Sequence, residues 1–183
     1  MGEDKIHYRG RYLGLAERDR WEFATRINAK GVAVLVPVTV EDEIVLVEQY
    51  RIPVGARVLE LPAGLAGDRE HPGETVLDAA ARELEEETGF TAATLTRLLD
   101  CPSTPGMSDE IITFYLAEGL TRIGPGGGDG SEDIEVHLVP LHRASEWLGD
   151  RMSKGVLLDP KIHAALYWLE RRAAGLEPLP GTG

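Results

Sequence analysis

Apolar residues recur along this chain with two periods. Through the first third they alternate with polar ones or run unbroken, and near residue 80 they switch to every third or fourth position. The early pattern predicts strands. Residues 8–17 and 21–27 flank the polar triplet Arg18, Asp19, Arg20 and read as a hairpin. Residues 31–40 are β-branched and nearly continuously apolar, the mark of a strand covered on both faces. Glu41 to Glu43 form a turn, and strands follow at 44–49 and 57–61, the second ended by Pro62, Ala63 and Gly64. A loop rich in glycine and charge, 65–73, leads into a helix over 74–88 that stops at Gly89, a residue suited to the left-handed position after a helix. Further strands are predicted at 94–100, 110–117 and 134–139. Between the last two lies a glycine-rich segment, 123–130, that reads as a flexible loop. Two short helices, 143–148 and 160–174, close the pattern, and the Pro/Gly-rich stretch 175–183 reads as a frayed tail.

The 183 residues suit one domain, within the roughly 100–200 residues usual for one. Nineteen Lys plus Arg against 31 Asp plus Glu leave a formal charge of −12, which repels a phosphate backbone and argues against nucleic acid as partner. A phosphate-bearing ligand would therefore need local arginines or a divalent cation. Cys101 is the only cysteine, so an intrachain disulfide and a cysteine-based zinc site are excluded. The five histidines lack metal-ligand spacing. No apolar run approaches the roughly 20 residues that cross a bilayer, and the polar start has no apolar signal segment. A cytoplasmic protein without membrane partners is the expectation.

The chemistry concentrates on the helix. With Glu83 at zero and about 100° per residue, Leu77, Ala80, Ala81, Leu84 and Thr88 fall between about 60° and 160° and form the expected buried stripe. Glu83, Glu86 and Glu87 fall at about 0°, −60° and +40° and share one face. Like charges so spaced destabilise a helix by a few tenths of a kcal/mol per pair unless a cation lies between them. Most such clusters are solvated surface. Hard divalent ions, however, prefer carboxylate oxygens, and Mg²⁺ often binds one or two of them plus substrate phosphates.

The neighbours decide the reading. Glu74 is followed by seven residues and then by Arg82-Glu83-Leu84-Glu85-Glu86-Glu87-Thr88-Gly89-Phe90. This string resembles the Nudix box, Gly-x5-Glu-x7-Arg-Glu-U-x-Glu-Glu-x-Gly-U, at every position from Glu74 onward. One departure is clear. Gly64 is the best match to the first glycine, but nine residues rather than five separate it from Glu74, and residue 68, where strict spacing wants glycine, is Asp68. A four-residue insertion before the helix accounts for this.

The resemblance implies an α+β fold, an α/β/α sandwich in which a mixed β-sheet is flanked by helices, here with an N-terminal antiparallel hairpin extension. It divides the chain into an extension at 1–28, a Nudix hydrolase domain at 29–174 and the tail at 175–183. It implies hydrolysis of a nucleoside diphosphate linked to another group, with Mg²⁺, or Mn²⁺ as a substitute. Glu83 and Glu87 are then the main metal ligands, with Glu86 and the Ala63 carbonyl as further ones. Arg82 orients the carboxylates, and Glu74 ties the loop to the helix.

Three further segments resemble the ADP-ribose pyrophosphatase branch. Pro105, 15 residues after Phe90, stands in Thr104-Pro105-Gly106-Met107-Ser108-Asp109-Glu110, with Ser108 and Glu110 as further site candidates. Trp21-Glu22-Phe23-Ala24-Thr25-Arg26 is similar to a strand whose Trp stacks on adenine and whose Glu accepts from its amino group; a tryptophan packing on its own sheet is the alternative. Glu48-Gln49-Tyr50-Arg51 is similar to a stretch that offers arginine to the diphosphate or sugar. Arg51 and Arg26 are the candidates, or else surface arginines. Glu132 is the expected water-activating acid, with Asp129, Asp133 and Glu135 as alternatives. Flexibility of the glycine run would let that acid swing in. The expected substrate is ADP-ribose, cleaved to AMP and ribose 5-phosphate. GDP-mannose or a broader range of nucleoside diphosphate sugars is the rival, and a non-catalytic nucleotide-binding module the alternative of another class. Relatives in this branch are homodimers whose N-terminal strands reach the partner's site, so a homodimer is expected.

Overall fold

The computed structural model describes residues 3–67, 71–128 and 133–176. Three short strands open the chain: β1 (Lys5–Arg9), β2 (Leu13–Arg18) and β3 (Trp21–Arg26), paired antiparallel in that order. The expected first strand, 8–17, is thus split in two, and the hairpin is a three-stranded sheet. The break falls at Gly10, whose N–H donates to the Leu13 carbonyl at 2.8 Å, while Tyr12 follows largely exposed. β2 and β3 turn at Asp19 and Arg20, both at positive φ, as a tight hairpin between right-twisted strands requires.

The body is built on two mixed four-stranded sheets. In the first, β7 (Ala63–Ala66), β4 (Gly31–Pro37), β10 (Ile111–Glu118) and β9 (Thr94–Pro102) lie in that order, with β4 and β10 parallel. In the second the order is β12 (Glu135–Pro140), β5 (Glu43–Arg51), β6 (Ala56–Glu60) and β13 (Leu157–Leu158), with β6 and β13 parallel. Short β8 (Phe90–Thr91) and β11 (Thr121–Arg122) pair separately. Among the described residues three α-helices complete the fold, α1 (Val76–Thr88), α2 (Ala144–Ser153) and α3 (Lys161–Ala173), with a short 3-10 turn, Leu141–Arg143, leading into α2.

Alternation along β4 explains its unbroken apolar sequence. Ala33 and Leu35 join Val45 of β5 against Ala79, Ala80 and Leu84 of α1. Val34 and Val36 point the other way and join Ile44 and Leu46 against Ala144, Leu148, Ile162 and Ala165 of α2 and α3. A strand with helices over both faces has no solvated side on which to place polar residues. This is the expected α/β/α sandwich. Phe114 meets Trp168 of α3 edge-on at 4.9 Å within the second core.

β7 had no signal in the pattern. Its four residues, Ala63 to Ala66, are short and glycine-containing, and become a strand only because β4 offers a free edge to pair with. The N-terminal sheet docks through β3: Ala24 N–H donates to the Met107 carbonyl at 2.8 Å and Thr25 Oγ1 to Asp109 at 2.9 Å.

Candidate active site

The site grows from β7, the loop after it and α1. Thr75 caps the helix, its hydroxyl accepting from the Asp78 N–H at 3.2 Å while the Asp78 carboxylate accepts from the Thr75 N–H. Such a box contributes about 1 kcal/mol and sets where the first turn begins. Gly89 ends the helix in the left-handed conformation, its N–H donating to the Glu85 carbonyl.

The buried stripe differs from the wheel. Leu77 and Ala81 are exposed, while Ala79, Ala80, Leu84, Glu87 and Thr88 are buried. On the same wheel that stripe spans about −40° to +140°, so it is rotated toward the glutamates. The reason is that the acidic face does not look out to water; it looks onto β7. Glu87 is 3% exposed and its carboxylate accepts from the Ala63 N–H at 3.0 Å. Glu83 packs so closely on Gly64 that a Cβ built there would lie 1.8 Å from its Cδ and 1.9 Å from Oε1. Only glycine leaves space for that carboxylate.

Arg82 organises the acids. Its guanidinium donates to both Glu74 oxygens at 2.8 and 3.0 Å, to Glu83 and Glu86 at 2.8 Å each, and to the Leu65 carbonyl at 3.2 Å. The hydrogen bonds it donates to Glu74 act first and, against the opposing effect of burial, the charge of Glu83 and the bonds donated to Glu86 and Glu83 follow, pushing its pKa further above an already high value. A planar fork reaches all three acids at once, which a lysine could not do. Glu86, with its side chain 40% exposed, sits at the outer edge.

A cavity of about 390 Å³ opens over this face, bordered by Ala63, Gly64, Glu83 and Glu87 on one side and by Arg26, Arg51, Glu60, Glu110 and Lys161 on the other. Arg51 pairs with Glu60 at 2.6 Å and Arg26 with Glu110 at 2.6 Å. The structure therefore brings Ala63, Glu83, Glu87, Arg26, Arg51 and Glu110 to one place. Ser108 borders an adjoining, larger and mostly apolar cavity of about 650 Å³, which shares Arg26, Glu110 and Lys161 with the first. Pro105, Trp21 and Glu22 line neither; Trp21 is 65% exposed on the N-terminal sheet and Glu22 stands opposite Glu17.

Glu132 and Asp129 lie outside the described residues. Asp133 and Glu135 are placed beside Arg57, at 3.4 and 3.9 Å. The register sets Glu135 opposite Glu48, and Glu48 opposite Leu59, on the face that packs toward α2; Glu60, opposite Val47, takes the other face and joins the cavity. Glu48, Glu135 and His137 bring ligand atoms within 4.8 Å of one another. Glu48 is 1% exposed and accepts from Arg57 at 2.7 Å and from Arg151. Burial alone would raise its pKa, but the bonds from Arg151 and Arg57 outweigh it and hold the carboxyl below its ordinary range. With its oxygens committed to arginines, this cluster is an ion-pair network and a poor cation site.

Sequence reasoning missed Glu60 and Lys161. Glu60 had a faint signal, an acid inside the apolar run 58–61, whereas nothing in the sequence near Lys161 links the first residue of α3 to the cavity.

A model of the NUDIX domain family matches residues 29–158. The chain belongs to the Nudix family. Among its relatives, a methanol dehydrogenase activator from Bacillus methanolicus is 33% identical over 149 residues, 81% of this chain and 76% of that one. An ADP-ribose pyrophosphatase from Bacillus subtilis strain 168 is 35% identical over 149 residues, with the same shares. A crystal structure of an ADP compounds hydrolase superposes with a TM-score of 0.70 over 96% of both chains at 23% identity, which establishes the Nudix fold. Among the described residues no helix is long and apolar enough to cross a membrane.

Proposed function

We propose that this Nudix chain hydrolyses the diphosphate of a nucleoside diphosphate sugar, with ADP-ribose as the preferred substrate and AMP and ribose 5-phosphate as products. The observation that carries the reading is the pairing of an oxygen-donor face, Glu83 and Glu87, with arginines across one cavity. The Bacillus subtilis relative's name supports the choice of ADP-ribose.

The donor set fits a hard divalent cation. It is carboxylate oxygen held by Arg82, and Gly64 leaves the space a side chain would fill. Glu83 and Glu87 would hold Mg²⁺, or Mn²⁺ in its place, with Glu86 and the Ala63 carbonyl as further ligands. When bound, the ion supplies charge neutralisation and Lewis acidity toward the diphosphate. Arg26 and Arg51 grip the phosphate oxygens, exchanging their bonds to Glu110 and Glu60 for bonds to substrate, and Lys161 adds a third positive charge. Arg82 keeps Glu83 and Glu86 aimed while the cavity fills. Glu132 is the proposed acceptor of the water proton. Trp21 and Glu22 are proposed to recognise the base in the site of a second copy, with Pro105 and Ser108 shaping the loop that carries Glu110.

A substrate panel tests this. The protein is incubated with Mg²⁺ and ADP-ribose, GDP-mannose, UDP-glucose or deoxynucleoside triphosphates, beside a Glu87→Gln variant. ADP-ribose should have the highest kcat/KM, and Glu87→Gln should lose kcat far more than it changes KM. Preference for a deoxynucleoside triphosphate, or full activity in excess chelator, overturns the proposal.

A further inference from the structure

The glycine-rich segment 123–130 reads by composition as slack, yet its described residues, 123–128, lie against the C-terminal end of α1. Gly127 N–H donates to the Glu87 carbonyl and Gly128 N–H to the Glu86 carbonyl, both at 2.9 Å. Ile123 and Gly124 donate to the Gly89 carbonyl at 2.8 and 3.1 Å. The last carbonyls of a helix have no partner within it, so they must find one elsewhere. The approach leaves no room for a side chain at Gly126. A Cβ there would lie 2.5 Å from the Thr88 carbonyl carbon and 2.7 Å from the Glu87 oxygen. Gly126, Gly127 and Gly128 also take φ of 72°, 108° and 86°, which other residues resist.

The position matters because of what that helix end carries. Glu86 and Glu87 sit in the last turn, which has no basic residue, at the negative pole of the helix dipole. Donors at the backbone of those two residues oppose fraying where carboxylates crowd. Glu87 is thereby held twice, by Gly127 at its carbonyl and by the Ala63 N–H at its carboxylate.

We propose that residues 126–128 are a strap that positions the metal-binding carboxylates by clamping the last turn of α1, making Gly126 and Gly127 positioning residues for the hydrolysis. The proposal rests on the reading of Glu83 and Glu87 as metal ligands. The test compares Gly126→Ala, Gly127→Ala, Glu87→Gln and, as control, Gly149→Ala, whose added carbon meets nothing within 4 Å. Mn²⁺ affinity is read by paramagnetic resonance of the free ion, folding by thermal melts, and kcat and KM on ADP-ribose.

Gly126→Ala should bind Mn²⁺ about tenfold or more weakly, as when a group that orients a ligand is lost, and lose kcat with KM little changed. Gly127→Ala, where nothing lies nearer than 3.8 Å and only the backbone is strained, should lose less in the same direction. It carries the test if Gly126→Ala fails to fold. Wild-type Mn²⁺ affinity in Glu87→Gln would defeat the ligand reading. Loss there together with wild-type affinity and kcat in the folded strap variants would overturn the strap alone.

Discussion

Replacing Gly64 with alanine tests the geometry of the site with one methyl group. The added carbon would fall 1.8 Å from the Glu83 Cδ, 1.9 Å from Oε1 and 2.3 Å from Cγ, whereas ordinary contact begins at 3.4 Å. The carboxyl group must therefore retreat by about 1.6 Å, the difference between those two distances. Gly64 has no left-handed φ to defend, and the obstructing atoms belong to a flexible side chain. The fold can thus absorb the change. An off-rotamer glutamate costs about 0.5–1.5 kcal/mol, and in a chain of this size about 1 kcal/mol lowers Tm by only about 2–4 °C. Catalysis cannot absorb it so easily, because a displacement of about 1 Å at a reacting centre can remove about 100-fold in rate, or about 2.7 kcal/mol of barrier. The assay is ADP-ribose hydrolysis across a Mg²⁺ titration, with Mn²⁺ binding and a thermal melt alongside. Gly73→Ala, whose added carbon meets nothing within 4 Å, is the control. The expected outcome is a folded Gly64→Ala protein with kcat down by about two orders of magnitude and weakened metal binding. Wild-type kcat and Mn²⁺ affinity in Gly64→Ala would refute the placement of Glu83 against β7 as the metal face.

Two other outcomes follow from named residues. Burial first, opposed by the charge of Glu135, lowers the pKa of His137 below its ordinary 6.5, so the folded protein resists protonating it. The unfolded chain binds that proton first as pH falls. Stability from this group is therefore complete above about 6.5 and declines below it until pH passes the folded pKa; a urea midpoint that falls with pH in that window for wild type, and less steeply for His137→Gln, is expected, and identical slopes would exonerate His137. Tyr8, Leu13 and Leu15 share one face of the small N-terminal sheet and are exposed there, and a second copy covering that face should give a dimer mass by light scattering at micromolar concentration, reduced to monomer in Tyr8→Glu; a monomeric wild type would defeat the dimer.

The individual strands and helices were largely legible from the sequence, because they carry their periods in short local windows, whereas their assembly into a sandwich was what the resemblance to the Nudix box implied. The unbroken apolar run at β4 announced a strand with both faces covered, and Gly89 marked the end of α1. The acidic face of α1 was legible too, since residues at i, i+3 and i+4 share a side of any helix. Which way that face points was not. Helical period fixes relative angles and leaves absolute orientation to the partner. Here β7, a strand with no propensity of its own, turned Glu87 inward and left Leu77 outside.

Composition was a poor guide to the glycines. The run at 123–130 was read as slack, and its described part proved to be fitted against the helix end, where absence of a side chain serves close approach. Pairing register separated Glu60 from Glu48 and sent Glu135 to the face away from the cavity. Alternation along a strand is set by sequence, but which of two faces meets α1 is set by the packing of layers. The chain by itself determined which groups are available and their local spacing, because these depend on covalent order and backbone geometry. Only the tertiary structure decided that Gly64, Glu83, Glu87, Arg26, Arg51 and Lys161 border one cavity, since contacts between segments distant along the chain arise from how its apolar faces are buried together.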